Sequence, residues 1–186
     1  MKRILLLTVY SLSALFLGNC HGDINSVEVI IDNGGEFPSF LVGTWKTDSG
    51  GWEIVFEKDG TISSAVISLG LVRMIPGQTT TIPMKLGGKG VFKPGIWTVQ
   101  YLQEQRELIV EIVIDYFHTE LEDDTVQGCT RDFLIGPVSQ DGTLWWVERY
   151  SYPEYIVNTD KYHNYKLPFD PNENPRESLI FEKITE

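Results

Sequence analysis

Apolar and polar residues alternate along most of the chain after Phe40, as they do in β-strands that bury one face. In one such run, Trp97, Val99 and Tyr101 share a face, and the residues between them are polar. No stretch repeats its apolar positions at the helical spacing of three to four residues. The pattern therefore predicts an all-β protein.

The apolar runs and the turn residues between them predict about eight strands joined in sequence. Their expected extents are residues 42–46, 52–57, 62–69, 96–102, 108–117, 126–135, 143–150 and 179–184. Tight turns are expected at residues 58–60 and 139–142, where Gly60 and Gly142 supply the backbone freedom that hairpins need. Eight antiparallel strands can close on themselves. We expect an up-and-down antiparallel β-barrel of about eight strands, with an antiparallel β-sandwich as the alternative.

Two segments, residues 70–90 and 152–177, interrupt the alternation and are predicted to be long loops. The first is rich in glycine and threonine, and the second holds four prolines and four tyrosines. Loops of this length in a compact domain are usually functional. The second is too aromatic for a linker and is expected to pack against the domain or to cap a barrel mouth.

The N-terminus has the composition of an export signal. Lys2 and Arg3 precede fourteen uncharged, mostly apolar residues, 4–17. A helix of that length rises only about 21 Å, which is short of the roughly 30 Å hydrocarbon core of a bilayer. We expect residues 1–19 to be a signal peptide, 20–38 a tether with room for one edge strand, and 39–186 the β domain.

Leu17-Gly18-Asn19-Cys20 resembles the lipobox of bacterial lipoproteins. The resemblance implies that Cys20 is acylated and anchors the exported protein to the cell envelope. His21 after the cysteine resembles the outer-membrane sorting pattern, which applies if the cell has two membranes. The alternatives are cleavage at another site and pairing of an unacylated Cys20 with Cys129.

Composition and charge restrict the partners. The chain is 42% hydrophobic and 22% charged, so it is expected to fold. Its formal net charge is −11, and loss of Lys2 and Arg3 with the signal would make it −13. A charge of that sign argues against nucleic acid and against binding to anionic membranes through basic patches.

Gly43-Thr44-Trp45, within the run 40–46, is similar to the Gly-x-Trp opening of lipocalin-like (calycin) barrels. In that superfamily the tryptophan plugs the closed end of the barrel, and a basic residue of the last strand packs over it. The resemblance assigns these roles to Trp45 and Lys183. The alternative is that Trp45 is an ordinary core residue of another β fold.

Two functions follow from a barrel rich in aromatic residues. Trp52, Trp97, Tyr101 and Trp146 are the candidates for lining a cavity that binds a small apolar or amphipathic ligand. Alternatively, side chains fill the interior, and the protein serves as a non-catalytic surface interaction or envelope-assembly protein. A void of a few hundred Å³ would favour the first function, and a filled centre the second.

Catalysis is not expected, because the chain lacks the common nucleophile and zinc-protease motifs. His118 and Glu120 open an acidic run, residues 118–124, that could hold Zn²⁺ or Ca²⁺. A solvated acidic hairpin is favoured because no glycine-turned ligand loop is present. We predict no cofactor and no metal site. The expected partners are a small apolar ligand or an envelope protein, together with the membrane through Cys20.

Overall fold

Twelve strands run through the residues that this computed structural model describes, which are 26–47, 51–67, 72–84, 87–121, 124–159 and 176–185. The strands are β1 (Val27–Ile31), β2 (Gly43–Thr47), β3 (Glu53–Phe56), β4 (Ile62–Ile67), β5 (Val72–Met74), β6 (Thr80–Pro83), β7 (Lys89–Pro94), β8 (Trp97–Leu102), β9 (Glu107–Leu121), β10 (Asp124–Pro137), β11 (Leu144–Thr159) and β12 (Arg176–Lys183). One short 3-10 turn, Asp32–Gly34, follows β1. The all-β class is confirmed.

The strands form one mixed sheet in the order β1-β8-β9-β10-β11-β12-β2-β3-β4-β5. β1 lies parallel to β8, and the remaining pairs are antiparallel. β9, at 15 residues, pairs with β8 along its first half and with β7 along its second. β6 joins the sheet through β7. β8 and β7 therefore lie one after the other along the same edge of β9.

Closure into an eight-strand up-and-down barrel is not confirmed. The described sheet has twelve strands, includes a parallel pair, and ends at β1 and β5, which do not pair with each other. The difference arises because four short strands, β1, β5, β6 and β7, lie wholly or partly in segments that the alternation left as tether or loop. These strands change the neighbour order from the sequential one.

The two predicted loops contain regular structure. Residues 70–90 carry β5, β6 and the start of β7, and two of these three strands end at a proline, Pro83 or Pro94. β11 continues through Pro153 to Thr159, opposite β10. Residues 160–175 lie outside the described part, and so do the predicted signal peptide, Cys20 and the first part of the predicted tether. The predicted edge strand of the tether is β1, and its Val27 joins the core.

A single aromatic-rich core fills the inner side of the sheet. Its largest fully buried side chains are Trp45, Trp52, Trp97, Trp145, Phe56 and Phe181. The rings of Trp145 and Phe181 lie 4.9 Å apart, from neighbouring strands β11 and β12. Large aromatic rings thus pack against one another within this core.

The predicted turns at residues 58–60 and 139–142 are confirmed, and an aspartate stabilises each. Asp59 accepts hydrogen bonds from the backbone N–H and hydroxyl of Thr61, at 3.0 and 2.7 Å. Gly60 has φ of 85°, in the left-handed region that favours glycine. Asp141 accepts in the same way from Thr143, at 3.1 and 2.8 Å.

Candidate functional site

Three of the four side chains predicted to line a ligand cavity lie deep in the core. Trp52, Trp97 and Tyr101 are 1%, 0% and 3% exposed. Trp97 donates its indole N–H to the carbonyl of Val113 at 2.9 Å, so its polar atom is satisfied within the protein. Neighbouring side chains of the core surround these residues, and a role in ligand contact stays a prediction.

The fourth candidate, Trp146, lies on the outer face of β11 and is 43% exposed. Successive residues of a strand point to opposite sides, so Trp145 takes the inner position and is fully buried. Trp145 donates its indole N–H to the carbonyl of Gly136 at 3.1 Å. The structure therefore separates Trp146 from the other three candidates.

Trp45 and Lys183 occupy directly opposed positions of β2 and β12. Trp45 is fully buried and donates its indole N–H to the carbonyl of Leu41 at 2.7 Å. The ammonium of Lys183 donates to the carbonyl of Phe40 at 2.7 Å. The lysine thus holds the chain segment that covers this end of the core, adjacent to the tryptophan.

At this end of the core, the guanidinium of Arg106 lies over an aromatic ring. Its guanidinium carbon lies 4.6 Å from the ring centroid of Phe40. Nη2 of Arg106 also donates to the carbonyl of Ser139 at 2.6 Å, which ties the turn after β8 to the turn after β10. The sequence analysis did not identify Arg106 or Phe40, because turn residues carry no alternation that reports their contacts.

A buried ion pair lies farther along the inner face. Arg149 of β11 donates from Nε and Nη2 to one oxygen of Asp132 on β10, and from Nη1 to Glu177 on β12 at 2.8 Å. The side chains of Arg149 and Asp132 are 8% and 3% exposed. The guanidinium carbon also lies 5.1 Å from the ring centroid of Trp52. A cation is thereby held between two carboxylates and an indole.

This polar cluster was missed, although the alternation contained a signal for it. Asp132 falls between Thr130 and Leu134 on the inner face of β10, so a charged residue stands at a core position. Among the described residues, the indole N–H of Trp52 and the hydroxyl of Thr130 are buried without a hydrogen-bond partner. Buried polar atoms of this kind usually bind ordered water.

Large apolar side chains recur on the outer face of β11 and its neighbours, interrupted on β11 by Glu148 and Glu154, and we call this set the outer stripe. Its members are Trp146, Tyr152 and Ile156 on β11, Phe133 on β10 and Ile180 on β12. Exposed fractions reach 52% for Ile180, 55% for Tyr152 and 66% for Ile156. Trp146 lies directly opposite Ile180, and the rings of Phe133 and Tyr152 meet edge-on at 6.0 Å. The row spans about 34 Å along β11.

One ion pair lies within the outer stripe, between Trp146 and Tyr152, and another lies beside it. Arg176 of β12 donates to Glu148 of β11, which also accepts from the Ser178 hydroxyl at 2.9 Å. These hydrogen bonds, first that of Arg176, lower the pKa of Glu148. Beside the outer stripe, Arg131 and Glu111 approach to 3.1 Å. Exposed aromatic and aliphatic side chains mixed with paired polar side chains are found in protein-binding surfaces.

The predicted absence of a metal site is untested, because residues 122–123 and the side chains of Leu121 and Asp124 lie outside the described part. His118 Nε2 lies 3.9 Å from Glu120, whose second oxygen accepts from the backbone N–H of Lys89 at 3.0 Å. In the rest of the described chain, no three His, Cys, Asp or Glu side chains converge as a metal site would require. Cys129 is half-buried on β10, opposite Glu154.

Comparison with protein-family models, with curated proteins and with solved structures gives no match to this chain. No helix within the described ranges is long and apolar enough to cross a membrane.

Proposed function

We propose that this protein is an exported, non-catalytic interaction protein of the cell envelope, anchored through an acylated Cys20, that binds another envelope protein through the outer stripe. The observation that carries the proposal is the exposure of Trp146, Tyr152, Ile156 and Ile180 on one sheet face. Exposed large apolar side chains grouped on one face commonly mark a site of protein association.

The burial of the predicted cavity-lining residues supports this function over that of a carrier. Trp52, Trp97 and Tyr101 pack into the same core as Trp45, and each is buried to 97% or more. A carrier barrel of this size keeps a cavity of about 300 Å³ or more for its ligand. The resemblance to lipocalin-like barrels rests on Gly43-Thr44-Trp45. The proposed function does not include a small lipocalin-type ligand.

The charge of the chain indicates the character of the partner. A net charge of −11 opposes association with a second copy of the chain and with anionic lipid or nucleic acid. The arginines in and beside the outer stripe, Arg131 and Arg176, are held in ion pairs. The partner surface is therefore expected to be apolar at its centre and neutral or basic around it.

A photo-crosslinking experiment tests the proposal in the native envelope. A benzophenone amino acid is placed at position 146 or 152, with Gln105, an exposed turn residue away from the outer stripe, as the matched control position. We expect a discrete adduct with one envelope protein from positions 146 and 152, and none from 105. The same adducts from all three positions, or none from any, would reject the outer stripe as the binding surface.

The anchor is tested separately. Cys20→Ser is expected to move the protein from the membrane fraction to the soluble fraction, and the intact mass of the native protein is expected to include acyl chains on Cys20. A native mass without acyl chains would contradict the anchor but leave the outer-stripe experiment valid.

A further inference from the structure

Strand β1 uses only one of its two edges. The backbone N–H of Trp97 donates to the carbonyl of Ser26 at 3.0 Å. This hydrogen bond fixes which residues of β1 direct their backbone groups toward β8 in the parallel pair. Glu28 directs its backbone groups toward β8, whereas Val27 and Val29 direct theirs away from it. β1 ends the sheet, so the second edge has no strand partner among the described residues.

A second free strand edge faces this one. Pairing of β4 with β5 begins at Ala65, which leaves residues 62–64 of β4 without a partner on that side in the described sheet. A groove of about 480 Å³ separates the two edges. It is lined by Ser26, Val27, Val29, Asp59, Thr61 and Ile62. The valines and Ile62 provide apolar contact, and the remaining residues provide a polar rim.

Two turns limit the length of the groove. Gly60 lies against Val29, since a Cβ at position 60 would come within 2.8 Å of the valine side chain. Gly77 lies beside Ser26, where an added Cβ would meet the serine Cβ at 3.0 Å. The open stretch of β1 from Ser26 to Val29 measures about 10 Å, the span of four residues of extended chain.

Carboxylates dominate the surroundings of the groove. Glu28, Glu36, Glu57 and Asp59 are exposed near it, against the single ammonium of Lys58. The hydrogen bonds from Thr61, from its side chain first, lower the pKa of Asp59, so this carboxylate is charged at neutral pH. An occupant that carries lysine or arginine is favoured over an acidic one.

We propose that this groove, which we call the β1 slot, accepts a short extended and basic segment of a partner protein as an added strand between β1 and β4. The backbone groups of Val27 and Val29 bind the main chain of the segment, and every second side chain of the segment contacts Ile62 and the valines. Recognition by strand addition derives its affinity from main-chain hydrogen bonds and its selectivity from alternate side chains. This inference uses a different surface from the outer stripe and does not depend on it.

The test measures binding of a fluorescent peptide, Lys-Val-Thr-Val-Lys, whose length is close to that of the slot, to the full chain in mild detergent. Three peptides are compared by fluorescence anisotropy: this peptide, the same peptide with alternate backbone amides N-methylated, and a version with both lysines replaced by glutamate. We expect the first to bind and both others to bind at least about tenfold more weakly. Equal binding of the N-methylated peptide would exclude strand addition, and equal binding of the acidic peptide would exclude charge complementarity.

Val29→Pro is the informative variant of the protein. It removes an N–H that faces the slot and leaves the ladder with β8 intact, so proline is tolerated there as it is on sheet edges. We expect the peptide to bind about five- to tenfold more weakly, because one main-chain hydrogen bond is lost. If this variant unfolds, Glu28→Gln with Asp59→Asn replaces it and is expected to weaken the basic peptide alone.

Amide hydrogen exchange distinguishes the proposal from two other occupants. Protection of the Val27 and Val29 amides that appears only with the peptide supports strand addition. Protection that grows with protein concentration without the peptide would assign the slot to a second copy of the chain. Unchanged protection in the presence of bound peptide would place the peptide elsewhere and overturn the proposal. Trp146→Ser is expected to leave peptide binding unchanged, which separates this test from that of the outer stripe.

Discussion

Arg149 donates from Nε and Nη2 to the same carboxylate oxygen of Asp132, at 3.0 and 2.8 Å. The two side chains come from neighbouring strands and are almost fully buried. Removing two charges from water is costly, and the attraction between them offsets this cost only while both are present. The pair therefore makes the packing of β10 against β11 specific without being a large source of net stability.

Asp132→Ala is expected to lower the free energy of unfolding by about 3 kcal/mol, because it removes the buried carboxylate that faces the Arg149 guanidinium and leaves only the half-exposed Glu177 to balance its charge. Chemical denaturation measures the change. Glu177→Gln is the control, since the Glu177 side chain is 46% exposed and its loss should cost less than about 1 kcal/mol. Equal losses in the two variants would contradict the burial argument.

Trp45→Phe is expected to destabilise the protein more than Trp52→Phe. Both indoles are buried, but only Trp45 has a protein acceptor, the carbonyl of Leu41 at 2.7 Å. Its replacement leaves a buried carbonyl unpaired, which adds about 1–3 kcal/mol to the cost of lost volume. Thermal and urea unfolding of the two variants would measure the difference. A larger loss for Trp52→Phe would mean that Trp52 has a partner, such as a bound water.

Acid should weaken the fold partly through Asp141. Hydrogen bonds from Ser139, then Thr143, lower its pKa below the usual 3.8. A group whose pKa is lower in the folded state contributes stability above its unfolded pKa and loses it as the pH falls through the folded value. Asp141→Asn should therefore flatten the decline in unfolding midpoint below about pH 4, measured by circular dichroism. An unchanged decline would assign acid sensitivity to other carboxylates.

Gly136→Ala is expected to disrupt the pairing of β10 and β11. A Cβ at this position would lie 1.7 Å from the carbonyl oxygen of Trp146, which is backbone and cannot rotate away. We expect a loss of several kcal/mol or failure to fold. Gly35→Ala is the control, because the nearest atom there is the end of the flexible Gln103 side chain. Differential scanning fluorimetry compares the two; a stable Gly136→Ala would contradict the close approach.

Trp146→Ser and Ile180→Ser are expected to leave the free energy of unfolding within about 1 kcal/mol of the parent, since both residues are about half exposed. They should abolish the crosslinked adduct from position 152. Loss of the adduct together with loss of fold would remove the support for a binding role. Phe181→Ser, one position along and fully buried, is the contrasting variant and should unfold the protein.

The alternation of apolar and polar residues predicted the strands that bury one face and expose the other. Trp97 and Tyr101 on β8 and Leu108 on β9 are buried as expected. Most observed strand ends lie within about four residues of the predicted ones, but β11 runs nine residues beyond its predicted end at Tyr150. Trp145 and Trp146 show the limit of the method. From the sequence alone, either tryptophan could face the core. The pairing of β11 with β10 and β12 places Trp145 on the buried face.

The remaining elements depend on contacts far apart in sequence. β5 and β6 are three and four residues long, too short to show a period against the glycine and proline around them. The parallel pairing of β1 with β8 joins Val27 to Trp97, and nothing local to either strand specifies it. The free edge of β1, and with it the β1 slot, could therefore not be predicted from the sequence.

The contact from Lys183 to Phe40 spans 143 residues, so the order in which the chain emerges bears on how it folds. The hairpins of β9, β10 and β11 can pair early because their contacts are local, and β2 can pair with β3 in the same way, but the other edge of β2 is covered only when the last strand is present. Until β12 arrives, β2 and β11 both present bare edges that invite aggregation. In a chain truncated before Arg176, those two edges would stay unpaired. Correct folding therefore requires the complete last strand.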